Sequence, residues 1–178
     1  MRYHLKMLGC YNQWLNSKIY LAASRLSEKD LVKNHDAFFG SILGTLNHIM
    51  VGDIIWLKRF AKHPSSRVSL SGVTELPNPT SLDQIICKDF ANLHNQRIWL
   101  DKLIIDWLNE ITDSDLDNII DYKTTMGETH RKQYASLILH LFNHQTHHRG
   151  QVSTLLSQLG IDIGATDLLW VIPEGINV

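Results

Sequence analysis

Residues 140–151, HLFNHQTHHRGQ, carry four histidines in nine consecutive positions, inside a run whose apolar spacing predicts an amphipathic helix. Imidazole is the commonest nitrogen ligand of a divalent metal, so what matters is which of the four face the same way. Advancing about 100° per residue puts Leu137, Leu141, His144, His148, Gln151, Leu155 and Leu159 within roughly 40° of one line. Histidine and glutamine therefore fall in the expected core stripe. The i, i+4 spacing of His144 and His148 lays one ring over the other. Burying each without a partner would cost about 1–3 kcal/mol, and two adjacent imidazoles also resist being protonated together. A metal ion removes both penalties by taking a lone pair from each neutral ring. The plainer alternative is a pair of core histidines satisfied by hydrogen bonds. His140 and His147 lie on a shoulder of the stripe, where histidines cap carbonyls, face solvent or support ligands from behind.

Two ligands hold a divalent ion poorly, so a third must come from another helix. His48, in GTLNHIMVGDIIW, shares a face with Gly44 and Gly52, whose missing side chains permit close approach. That face lies away from the apolar cluster of Ile42, Leu46, Met50, Leu57 and Phe60, although Val51 and Ile55 make it partly apolar. Asp53 is a rival oxygen ligand. His4, His35, His63, His94 and His130 are isolated or in loops and are expected at the surface.

Four helices must position these side chains. Leu8, Tyr11, Leu15, Ile19, Ala22 and Leu26 recur at helical spacing over residues 4–26. Ser41 precedes a second periodic run over residues 42–62. Residues 64–79 hold prolines, serines and glycine without a period, a connection long enough to cross the molecule from end to end. TSLDQ then reads as the N-cap of a third helix marked by Leu82, Ile86, Leu93, Leu100, Ile104 and Trp107. Short runs either side of Gly127 fit a β-hairpin or an ordered loop. The fourth helix covers residues 134–159 and stops at Gly160, where glycine supplies a left-handed C′ residue. DLLWVIP near the C-terminus is apolar enough to pack back on the helices. The expected fold is all-α: one domain over residues 1–178, a four-helix bundle with a long crossover connection.

Composition excludes several partners. Lysine plus arginine number 17 against 18 acidic residues, a net charge of -1, so no excess of either sign points to nucleic acid. Lys58, Arg59 and Lys62 are well placed to offset the dipole at the end of the second helix. No apolar run approaches the length of a membrane span or a signal sequence. Cys10 and Cys87 lie far apart in no C-x-x-C pattern, which suits a reducing cytoplasm. Trp14, Trp56, Trp99, Trp107 and Trp170 are expected in the core or at an interface.

TLNHIMVGDIIWLKRF and HLFNHQTHHRGQ together resemble the DinB family of damage-inducible proteins, whose superfamily includes thiol-dependent S-transferases. YNQWLN near the start and QLGIDIGATDLLW near the end extend the likeness over most of the chain. The resemblance implies a homodimeric four-helix bundle with a divalent metal on three histidines, which here fall on His48, His144 and His148. Three neutral nitrogens suit zinc or nickel and leave a coordination position open. With a thiol there, the expected chemistry is S-transfer from a small thiol to an electrophile. With water there it is hydrolysis, for which Asp53, Glu128 and His147 are candidate bases. A third reading is a non-enzymatic stress protein stabilised by its metal. Arg149, on a helical flank, is expected to be solvated or to pair with an anionic substrate.

Overall fold

A computed structural model describes residues 1–66 and 68–174. In chain order it comprises α1 (Arg2–Ala23), a short α2 (Glu28–Val32), α3 (Ile42–Phe60), a short α4 (Ser71–Thr74), α5 (Phe90–Glu110), a short α6 (Asp113–Leu116), strands β1 (Ile119–Lys123) and β2 (Thr129–Gln133), and α7 (Tyr134–Gln158). The chain is mostly helical, and its sheet is the single antiparallel pair β1–β2 among the described residues. None of the described helices is long and apolar enough to cross a membrane.

Side-chain pairings give the direction of each long helix. Tyr20 stacks on Phe90, Asn16 bonds Asp101 and Arg2 bonds the Asn109 carbonyl, so α1 and α5 are antiparallel. His48 meets His148, Trp56 meets His140 and Phe60 meets Tyr134, so α3 and α7 are antiparallel too. Asp53 pairs with Arg97 and Phe60 stacks on Trp107, which makes α3 and α5 parallel. The chain leaving α3 must therefore return along the helix length, about 28 Å for 19 residues. Residues 61–89 make that crossover.

Local chemistry sets most of the boundaries. Ser41 caps α3, its hydroxyl accepting from the Gly44 amide at 2.9 Å. At the end of α7, Gly160 takes φ +76°, while its own amide and that of Ile161 close back on Ser157 and Leu156. β1 and β2 form the hairpin, with Tyr122 opposite His130 and Gly127 at φ +88° in the turn.

The third long helix starts later than TSLDQ suggests. Thr80 and Ser81 bond to the side chains of Gln84 and Asp83 without starting a helix, and Asp89 is the N-cap of α5. The cause is Asn47 on α3. Its amide nitrogen donates to the Cys87 carbonyl at 3.0 Å and its oxygen accepts from the Cys87 amide at 2.9 Å. This clamp takes the backbone groups that a helix through Cys87 would need. Leu82 consequently lies exposed in the crossover and is not a core position.

The core gathers Leu5, Ile19, Leu46, Met50, Leu57, Phe60, Leu100, Ile104, Trp107, Ile138, Leu141 and Leu156. The C-terminal segment does fold back: the Tyr11 hydroxyl donates to the Thr166 carbonyl at 2.7 Å, and Leu168 and Val171 pack on the core. Leu169 and Trp170 of the same segment face outward. Of the other tryptophans, Trp107 is fully buried, Trp14 and Trp56 are half-buried, and Trp99 is exposed.

Candidate metal centre

α3 is buried almost all round, and His48 is only 4 % exposed on the side facing α7. Gly52, one turn on, is what admits the partner ring: a Cβ there would stand 2.7 Å from His144 Cε1. Gly44 serves another purpose, because its missing Cβ makes room for the Phe39 carbonyl. On α7 the centre of the buried face runs through Ile138, Gln145, Arg149, Val152 and Leu156, one position round from the stripe expected from periodicity. The histidines therefore sit at the edge of the core: His148 is buried and His144 is partly exposed.

His48 Nε2 stands 3.1 Å from both His144 Nε2 and His148 Nε2, and all three rings fall within 4.8 Å ligand-atom spacing. Two of the outer nitrogens already have partners. His48 Nδ1 donates to the Leu82 carbonyl at 2.7 Å, and His148 Nδ1 donates to Gln151 Oε1 at 2.8 Å. Those bonds fix the tautomers, so both Nε2 atoms carry lone pairs pointing at each other. A proton on His144 Nε2 would satisfy one neighbour and leave the other facing nothing. Nitrogens bound at about 2.0–2.1 Å around a tetrahedral ion stand about 3.3–3.4 Å apart, close to the observed spacing. The cluster can hold a divalent ion.

Its electrostatics agree. Burial lowers the pKa of His48, and burial with the neighbouring His148 lowers His144 to about 3. Burial also lowers His148, more than its bond to Gln151 raises it. All three rings are thus held neutral, the form that ligates. Phe39 closes one side, its ring stacked on His48 at 3.7 Å between centroids.

The other candidates lie elsewhere. His140 is exposed and packs edge-on against Trp56, and His147 is exposed with its ring against His148. Glu128 is at the exposed hairpin tip, where it approaches His130 at 3.6 Å. His4 is exposed, and His35, His63, His94 and His130 are half-buried, His63 packing on Tyr134 and His94 stacking on Tyr20.

Asp53 is not a ligand and Arg149 is not solvated. Asp53 is fully buried, accepting from Arg97 and from Gln145. Arg97 also pairs with Asp101 at 2.9 Å, and Asp101 accepts from Asn16 at 2.9 Å and Asn12 at 3.2 Å. Arg149, 2 % exposed, donates to the oxygens of those two asparagines and lies over the Tyr11 ring. Burial raises the Asp53 pKa, takes Asp101 up to about 6 and Arg149 down to about 10. Burial opposes the charge on Arg97 too, but Asp101 and Asp53 more than reverse it, so its pKa rises. The signal for this network was in the sequence. Arg97 sits in the stripe Leu93, Arg97, Leu100, Ile104, Trp107, a charge at a core position of α5.

Residues 1–175 match the DinB family. Protein DinB of Bacillus subtilis (strain 168) is 24 % identical over 157 residues, covering 88 % of this chain and 87 % of the relative. No solved structure matches. With nearly the whole length matched and the histidines of its second and last long helices brought to one point, the chain belongs to the DinB family.

Proposed function

We propose that this chain is a single-domain four-helix bundle holding a divalent ion, zinc or nickel, on His48, His144 and His148, and that it catalyses thiol-dependent S-transfer. The observation that carries the reading is the convergence of three Nε2 atoms while the outer nitrogens of His48 and His148 are bonded to acceptors. A divalent ion on three neutral nitrogens favours the thiolate of a bound thiol, the nucleophilic form. The chain's part is to orient the rings, through Leu82 and Gln151, and to shield one side with Phe39. His144 is the partly exposed member of the cluster, and on this reading its side is where a small thiol and an electrophile enter. Hydrolysis has less support: Asp53 is committed to Arg97, Glu128 sits at the exposed hairpin tip beside His130, and His147 Nε2, though its ring lies against His148, is within 3.3 Å of the Gln151 amide nitrogen. The proposal extends to a homodimer, which the family resemblance implies, in the cytoplasm, which two free cysteines suit.

The test is metal content by elemental mass spectrometry on untagged protein. About one ion per chain is expected, lost in His48→Ala, His144→Ala and His148→Ala, since two ligands hold a divalent ion poorly. A metal-free wild type after reconstitution would overturn the assignment. Metal-loaded protein screened with low-molecular-weight thiols and electrophiles then tests catalysis; no metal-dependent conjugation would count against S-transfer. A second reading, an ion that only pins the fold, is favoured by the Leu82 bond, which ties the cluster to the crossover. After cobalt substitution, added thiol should change the visible spectrum of an open catalytic site and leave a closed structural one unaltered.

A further inference from the structure

A cavity of about 460 Å³ lies away from the histidines, between the C-terminal half of α3, the crossover and the hairpin turn. Lys58, Arg59 and Lys62 all line it, and among the described residues no acidic side chain does. None of the three forms an ion pair among the described residues. Lys58 donates to the Leu76 carbonyl and to Asn78 Oδ1, both neutral, and keeps a third N–H. Asn78 accepts through its oxygen and so has its amide N–H groups left to donate. Arg59 gives one amino group to the Lys123 carbonyl at 2.8 Å and lies over Trp56 and Tyr122. Burial lowers its pKa, as expected of a cation facing no carboxylate. Lys62 is exposed.

Offsetting the helix dipole does not account for this arrangement. The C-terminus of a helix carries roughly half a negative charge, too little to balance three cations. Two of the three also donate to carbonyls of the crossover and the hairpin, Leu76 and Lys123. In a chain of net charge -1, a concave site with three uncompensated cations focuses positive potential where a ligand can enter. Ile55, Ala61 and Pro79 add apolar wall.

We propose that this cavity binds a small-molecule oxyanion, a phosphate or carboxylate group, between Lys58, Arg59 and Lys62, with Asn78 as a further donor. The site is independent of the metal.

Calorimetric titration of metal-stripped His144→Ala protein with inorganic phosphate and with citrate, at constant ionic strength in chloride, tests it. That background removes the histidine cluster as a rival anion site. Saturable binding of at least one anion is expected, and which one binds distinguishes phosphate from carboxylate. Loss of one charge-assisted hydrogen bond should weaken binding about tenfold or more in Lys62→Gln and in Arg59→Gln. Lys62 is exposed, so Lys62→Gln gives a result even if Arg59→Gln disturbs the fold. Lys102→Gln, on the exposed pair with Asp106, should leave binding unchanged. No saturable binding, unchanged binding in Lys62→Gln, or equal weakening in Lys102→Gln would overturn the proposal.

Discussion

At the scale of the residue, the feature with most leverage is a nitrogen that faces away from the cluster. His48 Nδ1 and His148 Nδ1 are donors to fixed oxygens, so the rings present lone pairs inward before any ion arrives. The same burial has a consequence for pH. The pKa of His144 falls from 6.5 to about 3 on folding, through burial and the adjoining His148. A group neutral when folded and protonated when unfolded contributes stability that is complete above the unfolded pKa. That contribution is lost as pH falls from 6.5 toward about 3. Metal-stripped protein should therefore melt at progressively lower temperature below about pH 6.5, and His144→Leu should flatten the dependence. Thermal melts across that range check it, and an unaltered slope in the variant would sink the idea. Periodicity found His144 and His148 because two imidazoles in an apolar stripe stand out, and the family pattern selected His48. It misread Asp53 and Arg149, since a buried charge looks like a surface charge until its partners on other helices are known.

Among the elements, the approach of α3 to α7 depends on one absent side chain. Gly52→Ala would put a Cβ 2.7 Å from His144 Cε1. Moving that ring should cost about 1–3 kcal/mol and lower metal retention. Gly150→Ala, on the same helix as the histidines with nothing within 4 Å, should instead stabilise by about 0.5–1 kcal/mol. Denaturant titrations with metal analysis separate the two, and equal effects would refute the packing argument. Element ends were legible where the signal is local, as with Ser41 and Gly160. The start of α5 was not, because the Asn47 amide that holds Cys87 lies 40 residues away in the chain.

For the whole molecule, the decisive feature is that every long helix contributes to one buried polar network. α1 supplies Asn12 and Asn16, α3 supplies Asp53, α5 supplies Arg97 and Asp101, and α7 supplies Gln145 and Arg149. Two carboxylates face two guanidinium groups, so the set is neutral as a whole. Arg97→Met would leave Asp53 and Asp101 without their central cation and should cost about 3–5 kcal/mol. Adding Asp53→Leu should recover part of that loss, and urea unfolding of both variants measures the coupling. A double variant weaker than the sum of the single ones would contradict this picture. Composition and pattern gave the helical class and the crossover. Pattern offers one sign of the network, Arg97 at a core position of α5, but not its partners, which are scattered over residues 12–149 and meet only in three dimensions.

The bond from His48 to the Leu82 carbonyl reaches beyond the cluster, into how long the chain survives among proteases. Leu82 belongs to a crossover segment whose Ser81, Asp83 and Ile85 are exposed, the kind of stretch a protease selects once it loosens. Whatever fixes the His48 ring also fixes that carbonyl. Limited proteolysis should therefore cut within residues 80–86 faster after chelation than before it. Loss of the ion would then mark the molecule for removal, linking metal supply to abundance.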